Sequence, residues 1–283
     1  MLFVVILTYS DSVSESIKEK RARLLENAKI NVSEAYSKMD HPLIQAFATF
    51  TENERMINQM NEKLEEWYSM YFPELKTGSP KSYATFVSEF GNDKRAASAK
   101  DLERIFDEHA KHIAKVAEES MGGDPEEKEY ALLKSIAEEE LRLIELNDKI
   151  LVYIKEGTER LMPNITGIID YKVAAELLSK AGSVEKLALM PASTIQLLGA
   201  EKALFKHLKF GSKPPKYGAL FKLQEIANAN REDRGRIARV YATKLAIAAR
   251  ADAFSKNYIA DRLNEDLKKA LSRDRKHGNQ NKK

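Results

Sequence analysis

The chain has 283 residues, 43% of them hydrophobic and 31% charged, with 12 Gly, 8 Pro and no Cys. The absence of cysteine excludes a disulfide framework and thiolate metal sites and suits an intracellular home, while so few breakers among abundant Ala, Glu, Lys and Leu favour helix throughout. The formal net charge of only +3 hides an asymmetry: residues 200–250 carry an excess of +8 and residues 101–160 an excess of −8, so one region is suited to a polyanion and the other is not.

The opening MLFVVIL is about a strand long, far short of the roughly 20 apolar residues that span a bilayer. It lacks the basic flank and small-residue cleavage site of a signal peptide; a short strand or a frayed domain end is expected, and no membrane partner. Residues 14–71 read as helix with a break at Asp40-His41-Pro42, where aspartate suits the cap and proline the first turn. Ile57, Met60, Leu64, Trp67 and Tyr71 then recur at steps of three and four, a seam that needs a partner helix. Phe72-Pro73 ends the run, and residues 77–80 form a loop.

Residues 101–120 carry Leu102, Ile105, His109, Ile113 and Val116 on one stripe. This makes His109 a packing histidine and His112 a surface one. Gly122-Gly123-Asp124-Pro125 is a stop-and-restart signal, after which a second arm runs from 126 to 161, the two arms forming an antiparallel hairpin. On the second arm the apolar residues occupy well over a third of the circumference, more than the face of about 100° that one partner uses. Either the N-terminal helix or a second copy covers the remainder; homodimerisation through Leu133, Ile136, Leu143, Ile144, Ile150, Leu151 and Ile154 is the expectation. Glu138, Glu139 and Glu140 project around the helix and read as solvated.

Met162-Pro163-Asn164 breaks the second arm. Helices are expected at 170–180, 184–190, 193–209 and 231–264, with Gly182-Ser183 as stop and cap between the first two. The end, from 265 to 283, is polar and basic and reads as disordered.

Three basic segments lie close together in this second half. Lys202, Lys206 and Lys209 fall on one helix face. Gly211 to Gly218 follows, where Pro214-Pro215 stiffens the backbone that presents Lys213 and Lys216. Arg236, Arg239, Thr243 and Arg250 make a row along one side of the last helix, opposite Ile237, Tyr241, Leu245 and Ala248 on the packing side. A single charged stripe is ordinarily a solvated face; three adjacent ones in a chain of nearly balanced charge point to phosphates. No P-loop, dinucleotide fingerprint, nucleophile elbow or zinc-ligand spacing is present, so a binding module is expected rather than an enzyme, with no cofactor or metal.

The words GAEKALFKHLKFGSKPPKYGALF and RGRIARVYATKLAIAARADAFS, with EEWYSMYFPEL and ERLMPNITGIID upstream, resemble the Nop domain family over residues 17–260. These are scaffold proteins of box C/D small ribonucleoproteins, and the short archaeal members are the most similar. The resemblance implies an all-α chain divided into a remnant of an N-terminal fibrillarin-docking domain (1–16), a helical coiled-coil dimerisation domain (17–161), a compact Nop RNA-binding domain (162–264) and the tail. It implies a non-catalytic scaffold that grips a kink-turn guide RNA together with a small ribosomal-protein-like partner. It also implies support of guided ribose 2′-O-methylation by fibrillarin, in the cytoplasm of an archaeon or the nucleolus of a eukaryote. The RNA-contacting positions carried over are Gly199, Ala200, Glu201, Lys202, Lys213, Lys216, Arg236 and Arg239, to which the basic rows add Lys206 and Arg250. Tyr217, Glu176 and Leu223-Gln224 depart from the family's usual residues, Glu176 standing where a basic residue is common. The alternatives are a helical DNA-binding protein, with 181–203 as a helix-turn-helix or helix-hairpin-helix, and a purely structural coiled-coil adaptor.

Overall fold

The computed structural model describes residues 17–29 and 39–280, the last eight in backbone only. The expected strand and docking-domain remnant within residues 1–16 lie outside it. Among the described residues there are only helices and loops, so the chain is all-α. After helix α1 (17–29) the chain forms two compact units, one of residues 45–156 and one joining residues up to 44 with 157 onward.

In the first unit the long helices α2 (Asp40–Tyr68) and α6 (Glu127–Leu161) run antiparallel. Tyr71, just past α2, donates to Glu129 Oε2 at 2.8 Å, and farther along Asn147 Nδ2 donates to the Phe50 carbonyl at 3.4 Å, so numbering rises on one helix as it falls on the other. Phe50, Ile57 and Leu64 are buried at seven-residue steps on α2, and Leu133, Ala137, Glu140, Asn147 and Ile154 at steps of three, four and seven on α6. This is heptad spacing, which keeps one seam facing a partner. The partner of α6 along this seam is therefore α2, whereas the sequence pointed to residues 101–120. Glu140 departs from its expected solvated state: its side chain sits wholly inside.

Residues 101–120 could not span the arm because they do not form one helix. Three shorter helices, α3 (Pro80–Phe90), α4 (Ala99–Phe106) and α5 (Ala110–Glu118), fill this part. Asp107 takes a left-handed backbone (φ 46°) into a 3₁₀ turn, Asp107–His109. The turn shifts the register, so Ala110 and Ile113 face inward while His109 and His112 are both exposed. Ser79 caps α3, and Ser98 with Asp101 forms a reciprocal capping box on α4, satisfying N–H groups a helix start leaves open. Phe86 sits among Phe72, Phe90 and Phe106, with ring centres 5.6–6.0 Å away. Beneath them Lys94, 3% exposed, donates to the carbonyls of Tyr71 (2.7 Å), Gly122 (2.7 Å) and Gly123 (3.0 Å). Gly122 is required here because a Cβ would strike the Tyr71 carbonyl.

The second unit is built around α13 (Arg234–Arg250). Its inward face, Ala238, Tyr241, Ala242, Leu245, Ala246, Ala248 and Ala249, is mostly small and lets neighbours approach closely. Packed against it are α9 (Val184–Leu189), α10 (Ala192–Leu197), α12 (Gln224–Ala227) and α14 (Ala260–Gln280). Two further helices, α7 (Pro163–Thr166) and α8 (Tyr171–Ala181), precede them, starting after the predicted break at Met162 and after the Asp170 cap. The predicted Gly182-Ser183 punctuation holds: Gly182 closes α8, and Ser183 Oγ accepts from Lys186 N at 3.1 Å.

Two long helices expected from sequence are interrupted. The 193–209 helix breaks at Gly199 into α10 and α11 (Glu201–Phe210). The 231–264 helix starts at Arg234, widens into a π turn at Ala251–Ser255, and stops at Lys256 (φ 57°). The cause of the second is Asp252. Its buried carboxylate accepts from Asn164 N (3.0 Å), Asn164 Nδ2 (2.8 Å) and Ile165 N (3.0 Å), satisfying the start of α7. Asn164 answers by accepting from Ile259 N at 2.6 Å, which fixes the restart before α14. Burial pushes the Asp252 carboxyl up from its ordinary value, although those three hydrogen bonds oppose it. Residues 265–280 of the expected disordered tail continue α14 instead, where Leu267 is buried and Asp266 meets Lys244 at 3.1 Å, and residues 281–283 lie outside the described residues.

Candidate nucleic-acid interface

Residues 199–218 leave the bundle as an excursion with a narrow neck. Gly218 N donates to the Gln196 carbonyl (2.9 Å) and Ala219 N to the Leu198 carbonyl (2.7 Å), tying the returning strand to the outgoing one. Gly199 turns the chain outward at φ 92°, a left-handed conformation that disfavours a side chain; a Cβ there would also stand 3.1 Å from Ala219 N. Glu201 holds this turn, accepting from Gly199 N at 2.7 Å. Burial raises the Glu201 carboxyl, but backbone hydrogen bonds from Gly199 and from its own N–H outweigh that and hold it below the ordinary value. The glutamate of the GAEK word thus shapes the backbone and is not a bare anion in the path of phosphates.

None of the residues of α11 is buried. Lys202, Lys206 and Lys209 are exposed on it, and so are Phe205, Leu208 and Phe210, at 63%, 75% and 68%. A helix showing apolar and basic residues to solvent together gains little from the core beneath it and has the character of an interaction surface. Lys209 lies over the rings of Phe205 and Phe210, 5.8 and 5.4 Å from their centres. The loop that follows folds back through His207, whose Nδ1 meets the Ser212 carbonyl.

The loop and the start of α13 are clipped together by one side chain. Gln196 Nε2, in a buried residue, donates to the Lys216 carbonyl (2.7 Å) and to the Gly235 carbonyl (3.2 Å). Lys216 therefore lies against the first turn of α13, beside Arg236, with Arg239 one turn on. Lys213, Lys216 and Arg239 are exposed. Arg236 is half-buried and bound to Asp233 at 3.0 Å. Arg250 is not part of this convergence: fourteen residues along the same helix, it is about 21 Å from Arg236 at the usual rise per residue, and its Nε donates to the Ala188 carbonyl at 3.3 Å. The packing side foreseen for α13 is correct, with Tyr241, Leu245 and Ala248 buried and Ile237 half-buried.

Sequence reading missed a ring stack at the same place. Tyr217 and Phe221 lie nearly parallel, 4.9 Å between centres and 13° apart, and Arg234 covers Phe221 at 5.3 Å. Arg234 is locked there by donating to the carbonyls of Ala229 (3.0 Å) and Ala227 (2.9 Å). The four-residue spacing of the two aromatics was the available signal. Glu176 is paired with Lys222 at 2.7 Å.

On α6, the self-association residues divide. Leu133 and Ile154 are fully buried within the chain and unavailable to a second copy. Ile136, Leu143, Ile144, Ile150 and Leu151 are half-buried. Beside them Leu132, Leu146 and Tyr153 are exposed, at 56%, 45% and 43%. With Ile136, Leu143 and Ile150 these form a second heptad-spaced line, one residue offset from the buried one.

A family model described as "Nop: snoRNA binding domain, fibrillarin" matches residues 49–274. A NOP5 family protein of Methanocaldococcus jannaschii is 37% identical over 94% of this chain and 64% of its own length. Nucleolar protein 56 of Dictyostelium discoideum is 32% identical over 90% of this chain and 50% of its own. The chain thus spans between half and two thirds of these relatives. The solved structure of a fibrillarin/Nop5p complex shares the fold, with a TM-score of 0.53 at 24% identity, over 89% of this chain and 78% of that one. With its helical architecture and basic excursion in place, the chain belongs to the Nop family.

Proposed function

We propose that the protein is a non-catalytic scaffold of a box C/D small ribonucleoprotein. It grips kink-turn guide RNA already held by a small ribosomal-protein-like partner and supports ribose 2′-O-methylation by fibrillarin. The observation that carries this reading is the excursion at 199–218, whose lysines stand clear of the core, with Lys216 clipped beside the start of α13. Lys202, Lys206, Lys213, Lys216 and Arg239 are placed to meet phosphates, with Arg236 available on exchange of its intrahelical partner; Gly199, Ala200 and Glu201 set the turn that presents them. Lysines and helix starts position a backbone without reading sequence, while a bent RNA is recognised by its shape and exposed bases. The bare apolar side of α11 answers to the protein half of a composite surface. Fibrillarin is a natural member of the assembly, since a similar chain is solved in complex with it.

The arm serves self-association in this reading, with the exposed Leu132, Leu146 and Tyr153 and the half-buried Ile136, Leu143 and Ile150 between them meeting their counterparts on a second copy. A gel shift with naked kink-turn RNA, the same RNA bound by its partner protein, and duplex DNA tests the main proposal. Tight binding only to the partner-bound RNA is expected; equal affinity for all three, or preference for duplex DNA, overturns it. Pull-down with fibrillarin tests the wider assembly.

A further inference from the structure

The seam between α2 and α6 is not uniformly apolar. At its middle Glu140 is fully enclosed, and neither carboxylate oxygen has a hydrogen-bond partner. The antiparallel register brings this position near the level of Asn61 on α2. Asn61 Nδ2 is engaged by Glu65 Oε1 at 2.5 Å, leaving its own Oδ1 a buried acceptor without a donor. The titratable groups that face Glu140 are Glu65 from α2 and Tyr83 from α3, and neither supplies a positive charge.

A carboxylate in such a place has lost its water and gained a like-charged neighbour. An isolated buried charge is expensive enough that the group takes up a proton instead, and a protonated carboxyl is also the donor this layer lacks. From this enclosure and these neighbours we propose that Glu140 is a proton-operated latch: a neutral carboxylic acid keeps the α2–α6 arm closed, and its ionisation loosens the arm.

The direction of the effect follows from the two states. Burial, with Glu65 adding to it, pushes the Glu140 carboxyl up to about 7, while in the opened arm it returns to the ordinary carboxylate range. The closed arm therefore has its full advantage below that range and loses it progressively as pH rises through about 7. Each pH unit between the two values changes the closed-to-open equilibrium tenfold, so the whole shift is worth roughly 10² to 10³.

The chain carries its own reporter, because its single tryptophan, Trp67, packs half-buried on the same helix α2. Urea unfolding followed by Trp67 fluorescence between pH 5 and 8.5 is expected to show a midpoint that falls as pH rises. Glu140→Gln should abolish that dependence, and Glu65→Gln should move it to lower pH. Should Glu140→Gln fold poorly, a carboxyl-carbon NMR titration of Glu140 in the wild-type chain decides instead. A Glu140 titrating in the ordinary carboxylate range, or a Glu140→Gln profile that tracks wild type, overturns the proposal. None of these readouts involves RNA, so failure here leaves the scaffold reading standing.

Discussion

Replacing Lys94 with methionine isolates the cost of removing a buried charge while keeping the length of the side chain. The ammonium is 2% exposed and donates to three carbonyls, those of Tyr71, Gly122 and Gly123. It is also 3.8 Å from Asp124, but that carboxylate is 58% exposed and adds little. Hydrogen bonds from a charged donor are each worth about 1.5–3 kcal/mol, so losing those to the two half-buried carbonyls costs about 3–5 kcal/mol. Tyr71 and Gly122 are half-buried and Gly122 is pressed on the Tyr71 backbone, so these two carbonyls bear most of the loss, while Gly123 is exposed. Lys94→Met should therefore destabilise its unit by about 3–5 kcal/mol, net of whatever the methionine regains in packing on Phe72. At a typical urea slope of about 2 kcal/mol per molar, the Trp67 fluorescence midpoint falls by about 2 M. A shift below about 0.5 M would mean that the carbonyls find other partners and that Lys94 is not the pin of this region.

In the second unit, Arg239→Ala should lower RNA affinity and reduce the slope of log affinity against log salt by about 0.7–0.9, the value of one phosphate contact; an unchanged slope in a salt-titrated gel shift removes Arg239 from the proposed interface. Arg236→Ala should have the smaller effect, because Asp233 already neutralises that guanidinium. Gly199→Ala should cost about 1–2 kcal/mol through its left-handed backbone and weaken RNA binding while the helical circular dichroism stays nearly unchanged; full RNA affinity would show that α11 does not depend on that turn. Asp252→Ala strands two backbone N–H groups at the start of α7 and should cost about 2–4 kcal/mol, seen as faster amide exchange at Asn164 and Ile165. Leu146→Glu on the exposed line of α6 should leave the chain monomeric by light scattering at micromolar concentration; a dimer that persists moves the interface elsewhere.

Much of the architecture was legible because local chemistry decides it. Proline at 42 and 163, the Gly182-Ser183 pair and the apolar side of α13 each act within a turn or two of where they stand, and each appears where the sequence placed it. What failed was decided from a distance. Asp252 leaves the helical path because backbone donors near residue 164 need an acceptor, and no window around 252 contains that need. The pairing of α6 with α2 was open for the same reason, since heptad spacing says that a partner exists and not which one. Glu140 looked solvated in a run of three glutamates, yet it falls on the inner line with Leu133, Ala137 and Asn147. In the candidate site, the lysines of α11 were legible as a stripe. The approach of the loop lysine Lys216 to α13 rests on Gln196, a residue with no mark in the sequence that distinguishes it as a clip.

The neck at 196–198 and 218–219 has an evolutionary consequence. Because two main-chain contacts close it and the helix beyond leaves nothing in the core, residues 201–216 form a cassette that can be lengthened, shortened or rewritten at little thermodynamic risk to the bundle. Related chains can thus diverge in what this appendage meets by editing it alone, while the remainder of the unit stays fixed as its mount.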